Sequence, residues 1–133
     1  MFLGEYVYLM HGDEGNRLTI PAKFRDELEE KIFITKETDS YLRIYSKKEW
    51  EKLIEGWKKL DLKGIEYRRF WRAICSKTEE IELQAEGECS LPRHLMEHAG
   101  LKRVVVFVGC NKYIELWDKE RWEAKVERKS LKK

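Results

Sequence analysis

Three cations, Arg17, Lys23 and Arg25, crowd the stretch Gly12-Asp13-Glu14-Gly15-Asn16-Arg17-Leu18-Thr19-Ile20-Pro21-Ala22-Lys23-Phe24-Arg25. A guanidinium beside a tight turn presents a planar fork of N–H donors that suits a phosphate or the edge of a guanine. Asp13 offers a carboxylate across the turn, and Asn16 an amide next to the arginine. Together these residue types suit recognition of a polyanion. The plainer reading of the same spacing is a structural ion pair between Arg17 and Asp13.

A second cluster, His94-Leu95-Met96-Glu97-His98, spells the H-x-x-E-H pattern of inverted zinc peptidases. That chemistry needs a third ligand, a cleft and a longer helix, so a hydrolase built on His94 and His98 is the minor alternative. Cys75, Cys89 and Cys110 have no C-x-x-C spacing and read as free thiols of a reducing compartment. The chain shows neither a nucleophile elbow nor a phosphate-binding glycine loop. The expectation is therefore no enzyme, no catalytic residue, no metal, no cofactor and no small-molecule substrate.

The cations must be positioned by the elements around them. Tyr6 to Leu9 and Arg17 to Ile20 alternate and predict strands, joined as a hairpin or as the edge of a crossing. Pro21 then opens a short helix to Glu29. Ile32 to Thr35 and Leu42 to Tyr45 are strands, and Ser46 with Glu49 predicts a capping box for a helix to Leu60. A further helix over Ile65 to Ser76 turns Tyr67, Phe70, Trp71 and Ile74 inward and leaves Arg68, Arg69 and Arg72 as a solvated face or subunit contact. Glu80 to Leu83, Glu88 to Leu91, Val104 to Val108 and Tyr113 to Trp117 are strands. Pro92 starts a short helix ended by Gly100, and Asp118 caps a last helix running into a basic tail.

The second half repeats the first. With Pro21 laid on Pro92, Ile20 meets Leu91, Phe24 meets Leu95, and Gly15-Asn16 lies close to Gly87-Glu88. After a one-residue slip Tyr41 meets Tyr113, and Trp50-Glu51 meets Trp122-Glu123. A unit of about 50 residues buries too little surface to be comfortable alone. Two interlocked copies in one β-barrel would also protect the strand edges. The division expected is a first half over 5–47, connecting helices over 48–76, a second half over 77–119, and a C-terminal helix and basic tail over 120–133.

Asp13, Gly15, Asn16, Arg17, Pro21, Phe24 and Arg25, with Gly87, Leu91-Pro92, His98-Ala99-Gly100-Leu101 and Ile114-Glu115-Leu116-Trp117-Asp118, resemble the MraZ family of bacterial transcriptional regulators. The resemblance implies an α+β fold of two AbrB-like halves, a tandem pseudo-twofold swapped-hairpin (double-split) β-barrel with flanking helices. It implies a sequence-specific repressor that binds double-stranded DNA at repeats upstream of the division and cell-wall gene cluster, as a ring-shaped homo-oligomer. Its DNA-binding residues would be Arg17, Lys23, Arg25, Asn16 and Asp13, with Asn16 taking a glycine's place in a left-handed turn. The second motif departs: Gln84 and Glu88 stand where the family's Asp and Arg are expected, so DNA contact is assigned to the first half. The alternative function is an oligomeric interaction or scaffold module without DNA binding.

Composition limits the partners. The 133 residues are 42% apolar and 39% charged with a formal net charge of only +2, so polyanion binding must come from a local patch and several copies of it. No run approaches the roughly 20 apolar residues of a membrane span. The expected location is cytoplasmic and nucleoid-associated, with no membrane partner.

Overall fold

The computed structural model describes residues 1–131, with side chains through residue 127. The remainder of the expected basic tail lies outside the described residues. Alternation builds the strands as period-two spacing requires. In β3 (Lys31–Glu37) and β4 (Tyr41–Ser46), Ile32, Ile34, Leu42 and Ile44 are buried on one face. β7 (Val104–Cys110) and β8 (Tyr113–Asp118) repeat the design with Val105, Phe107, Ile114 and Leu116. These strands are the centre of a six-stranded sheet ordered β1-β7-β8-β4-β3-β5, with β1 (Glu5–Leu9) and β5 (Thr78–Glu82) at its edges.

β2 (Arg17–Thr19) and β6 (Glu88–Ser90) form a separate two-stranded ribbon. The pairing obeys a pseudo-dyad. β1 on β7 is matched by β5 on β3, β3 on β4 by β7 on β8, while β4 on β8 and β2 on β6 lie across the axis. Each half therefore lends its first two strands to the other, which is the swapped arrangement expected. Backbone bonds repeat the symmetry: the Ile20 N–H donates to the Gly87 carbonyl and the Leu91 N–H to the Asn16 carbonyl, both at 2.9 Å.

The structure corrects two expectations and decides between the two alternatives of a third. The sheet is not closed into a barrel, because ribbon strands of three residues are too short to carry a ladder to both sheet edges. Of the two arrangements expected for β1 and β2, the edge of a crossing is the one formed, with an isolated bridge of His11 with Arg17 between them. In α3 (Gly64–Ser76) no residue is buried and Tyr67 is exposed, since this helix leans on α2 (Lys47–Lys58) through Phe70 and Trp71 against Trp57. Half of the capping box is formed: Ser46 Oγ accepts the Glu49 N–H at 3.2 Å, while the Glu49 carboxylate turns to Lys52.

The short helices α1 (Ala22–Leu28) and α4 (Arg93–Ala99) sink Phe24, Leu28, Leu95 and Ala99 into the core over the inner face of the sheet. The outer face is aromatic. Trp50 of α2 stacks on Phe33, and Trp117 packs between Tyr41 and Trp122 of α5 (Lys119–Leu131). Asp118 is buried and accepts the Lys102 N–H at 3.2 Å, which ties down the loop before β7. Among the described residues no helix is long and apolar enough to cross a membrane.

Candidate nucleic-acid interface

The ribbon register decides what its side chains face. Leu18 pairs with Cys89 and both are buried, so Arg17, Thr19, Glu88 and Ser90 must point the other way. Arg17 pairs across the ribbon with Ser90. Its Nη1 donates to Ser90 Oγ at 3.0 Å and its Nη2 to Gln84 Oε1 at 2.9 Å. Glu88 Oε1 stands 4.0 Å from Nη2, leaving the arginine side chain about one-third exposed. All three partners come from the second half of the chain.

Glu88 is itself shared. Thr19 Oγ1 donates to Glu88 Oε2, and His11 Nε2 lies 3.0 Å from Thr19 Oγ1 and 3.3 Å from Glu88 Oε1. The expected Arg17–Asp13 pair is thus replaced: the carboxylate facing Arg17 is Glu88, and Asp13 is exposed at the turn. Gln84 and Glu88, read from the sequence as losses in the second motif, hold the arginine of the first.

The turn is built for that arginine. Gly12, at φ +86°, lies under the Arg17 stem, and a Cβ there would sit 2.7 Å from Arg17 Cγ. Gly15, at φ +68°, takes the left-handed conformation expected of Asn16. Asn16 works through its side chain, whose Nδ2 donates to the Leu91 carbonyl at 3.2 Å and fastens the crossing. In the second half Glu86 and Gly87 carry the positive φ angles, so Gly15 corresponds to Glu86 and Asn16 to Gly87.

Arg25 is brought to the same crossing. Its Nε donates to the Ile20 carbonyl at 2.9 Å, and its stem lies over Gly87, where a Cβ would meet Nε at 2.7 Å. Lys23 is exposed on α1. The positions matching Arg17, Lys23 and Arg25 in the second half are Glu88, His94 and Met96. Basic character at the crossing is therefore stronger on the first half.

His94 and His98 are spoken for by different elements. His94 Nε2 is 2.7 Å from Glu79 Oε1 of β5, and His98 Nε2 is 2.6 Å from the Glu37 carbonyl of β3. They fasten α4 to the sheet. Among the described residues no group of three or more His, Cys, Asp or Glu converges. Burial pushes the Cys89 thiol up to about 11, with Arg17 opposing and Glu88 adding to the shift.

His11, Thr19 and Ser90 are the site residues that sequence reading missed. The repeat held a usable signal: placing β2 against its own copy about the dyad sets Arg17 opposite Ser90.

Comparisons with known proteins point one way. A family model described as "MraZ protein, putative antitoxin-like" matches residues 1–73 and again 74–132. A protein from Clostridium tetani named transcriptional regulator MraZ is 41% identical over 124 residues, spanning 92% of this chain and 85% of its own length. One of the same name from Caldicellulosiruptor saccharolyticus is 38% identical over 131 residues, spanning 98% of this chain and 90% of its own. A third, from Caldanaerobacter subterraneus, is 39% identical over 123 residues.

Proposed function

The chain belongs to the MraZ family, and from that premise we propose that it is a DNA-binding transcriptional regulator acting through the first-half side of the β2–β6 ribbon. One observation carries the reading. Arg17 is turned away from the core, held by Ser90 and Gln84, and left partly exposed with further N–H donors of its guanidinium to offer. A pre-positioned arginine loses less side-chain freedom on meeting a phosphate or guanine edge than a free one. Lys23, exposed on α1, and Arg25, at the Gly87 crossing, add positive charge on the same half. Asn16 keeps the crossing in register, and Asp13 borders the site at the turn.

In this reading the protein is a cytoplasmic, nucleoid-associated repressor of the division and cell-wall gene cluster, as the family resemblance implies. A subunit of net charge +2 binds a polyanion feebly by itself. Closure of several subunits into a ring makes later contacts intramolecular and raises avidity by roughly 10²–10⁴. Repeated sites on the DNA are the natural partner of such a ring.

The test is an anisotropy titration of a duplex from upstream of the protein's own gene cluster against a scrambled duplex. Preference for the native duplex, with a reporter from that promoter silenced by the protein, supports the proposal. Equal binding of both duplexes would sink sequence specificity. The antitoxin-like wording of the family description favours one second reading, an interaction module; it predicts no salt-dependent binding to either duplex.

A further inference from the structure

The outer faces of the edge strands break the pseudo-symmetry. In β5 the outward residues include Glu80 and Glu82, as a solvated edge requires. The matching residues of β1 are Val7 and Leu9, each 54% exposed. The same backbone position is charged in one half and apolar in the other, so sheet geometry does not call for the valine and leucine. Beside them Trp122 and Val126 continue the apolar surface into a groove of about 340 Å³ between β1 and α5, floored by the buried Val106. Its rim carries Glu5, Glu123 and Glu127 against the single cation Lys119, which lies 3.5 Å from Glu123.

The other half offers the complement. α3 has no counterpart after α5 among the described residues, and it projects from α2 with its outward face bare. Ile65, Arg68, Arg69 and Arg72 fall at i, i+3, i+4 and i+7, one stripe along the helix. Ile65 is 55% exposed, and Leu60, at the preceding turn, is 50% exposed. An apolar helix end followed by three arginines faces outward in one half, and an apolar, acid-rimmed groove is open in the other.

We propose that the β1–α5 groove of one subunit receives α3 of a second copy of this chain, with Ile65 against Val7 and Val126 and the arginines against Glu5, Glu123 and Glu127. Because groove and helix are different surfaces, the contact is heterologous and repeats head to tail, closing to a ring where the rotation allows. This deepens the proposed function by naming the surfaces of its oligomer, and it rests on that reading for the use of the ring.

The experiment measures mass by light scattering for the wild type, for a groove variant (Val7→Glu with Val126→Glu), and for a helix variant (Ile65→Glu with Arg69→Glu). All four positions are exposed, so the fold should survive, and circular dichroism checks it. The wild type should run as an assembly and each variant as a single subunit. A one-to-one mixture should double that mass, since it retains one intact groove and one intact helix. A monomeric wild type, variants that keep the wild-type mass, or a mixture that stays monomeric would each overturn the interface. Should a variant unfold, oxidation of a Cys75→Ser chain carrying Glu127→Cys and Arg69→Cys decides: an intersubunit ladder supports the contact and its absence refutes it. An assembly that depends on these surfaces yet binds no duplex would fail the regulator reading alone.

Discussion

Arg17 owes its position to three residues that stand on the far side of the chain's internal repeat. Ser90 and Gln84 accept its hydrogen bonds, and Glu88 faces its charge at 4.0 Å. Glu88 also lies where an incoming phosphate would feel it, so it orients the arginine and opposes the ligand together. Glu88→Gln, which keeps a hydrogen-bond acceptor and removes the charge, should tighten duplex binding by about 2- to 5-fold, the scale of one partly exposed charge pair. Anisotropy titration reads the change. Cys89, paired with Leu18 beneath the arginine, gives the fold an alkaline limit. Burial raises its thiol from an ordinary value of 9.0 to about 11. The protonated form is favoured in the folded state, so this contribution is complete below pH 9 and is lost as the pH climbs from about 9 to about 11. A Cys89→Ala chain should show a flatter decline of melting temperature over that range.

The turn from β1 to β2 is shaped by the side chain that lies on it. Gly12 sits at φ +86° with the Arg17 stem where a Cβ would go. Gly12→Ala should destabilise the protein by about 1–3 kcal/mol, from left-handed strain and the clash together, and weaken DNA binding as Arg17 is displaced. Thermal unfolding and titration measure the two effects separately. Elements of this kind were legible in sequence wherever a local rule governs them: alternation for the strands, Pro21 and Pro92 for the helix starts, Ser46 for the α2 cap. Pairing was not, because which strand β1 meets depends on contacts with β7, nearly a hundred residues away. No local rule gives the partners of Arg17 either; the Ser90 pairing is recoverable only by setting β2 against its own repeat about the dyad. Tyr67 was misplaced because an apolar stripe does not say how deeply each of its members is covered: α3 rests on α2 through Phe70 and Trp71, and Tyr67 lies at the rim of that contact beside Trp71.

At the scale of the molecule, the swap makes each half depend on the other. Among the described residues the strands that β1 and β2 pair with are β7 and β6, and the β4–β8 ladder joins the halves through the core. We propose that the divisions at 5–47 and 77–119 are units of sequence repetition and not of independent folding. A fragment of residues 1–76 should fold only as a dimer that swaps strands with its own copy, checked by sedimentation with circular dichroism. A folded monomeric fragment would contradict this. The modest net charge of +2 places a similar demand on the proposed function: affinity for DNA would come from a few located cations repeated over an assembly.

The most direct measurement is therefore the salt dependence of duplex affinity for the wild type and Arg17→Ala. Log affinity falls with log salt by about 0.9 for each phosphate neutralised. The account predicts a shallower slope in the variant, by about 0.9 for each subunit whose Arg17 meets a phosphate, together with loss of preference for the native duplex. Equal slopes and an unchanged preference, in a variant that keeps its fold and its mass, would contradict a DNA contact at Arg17.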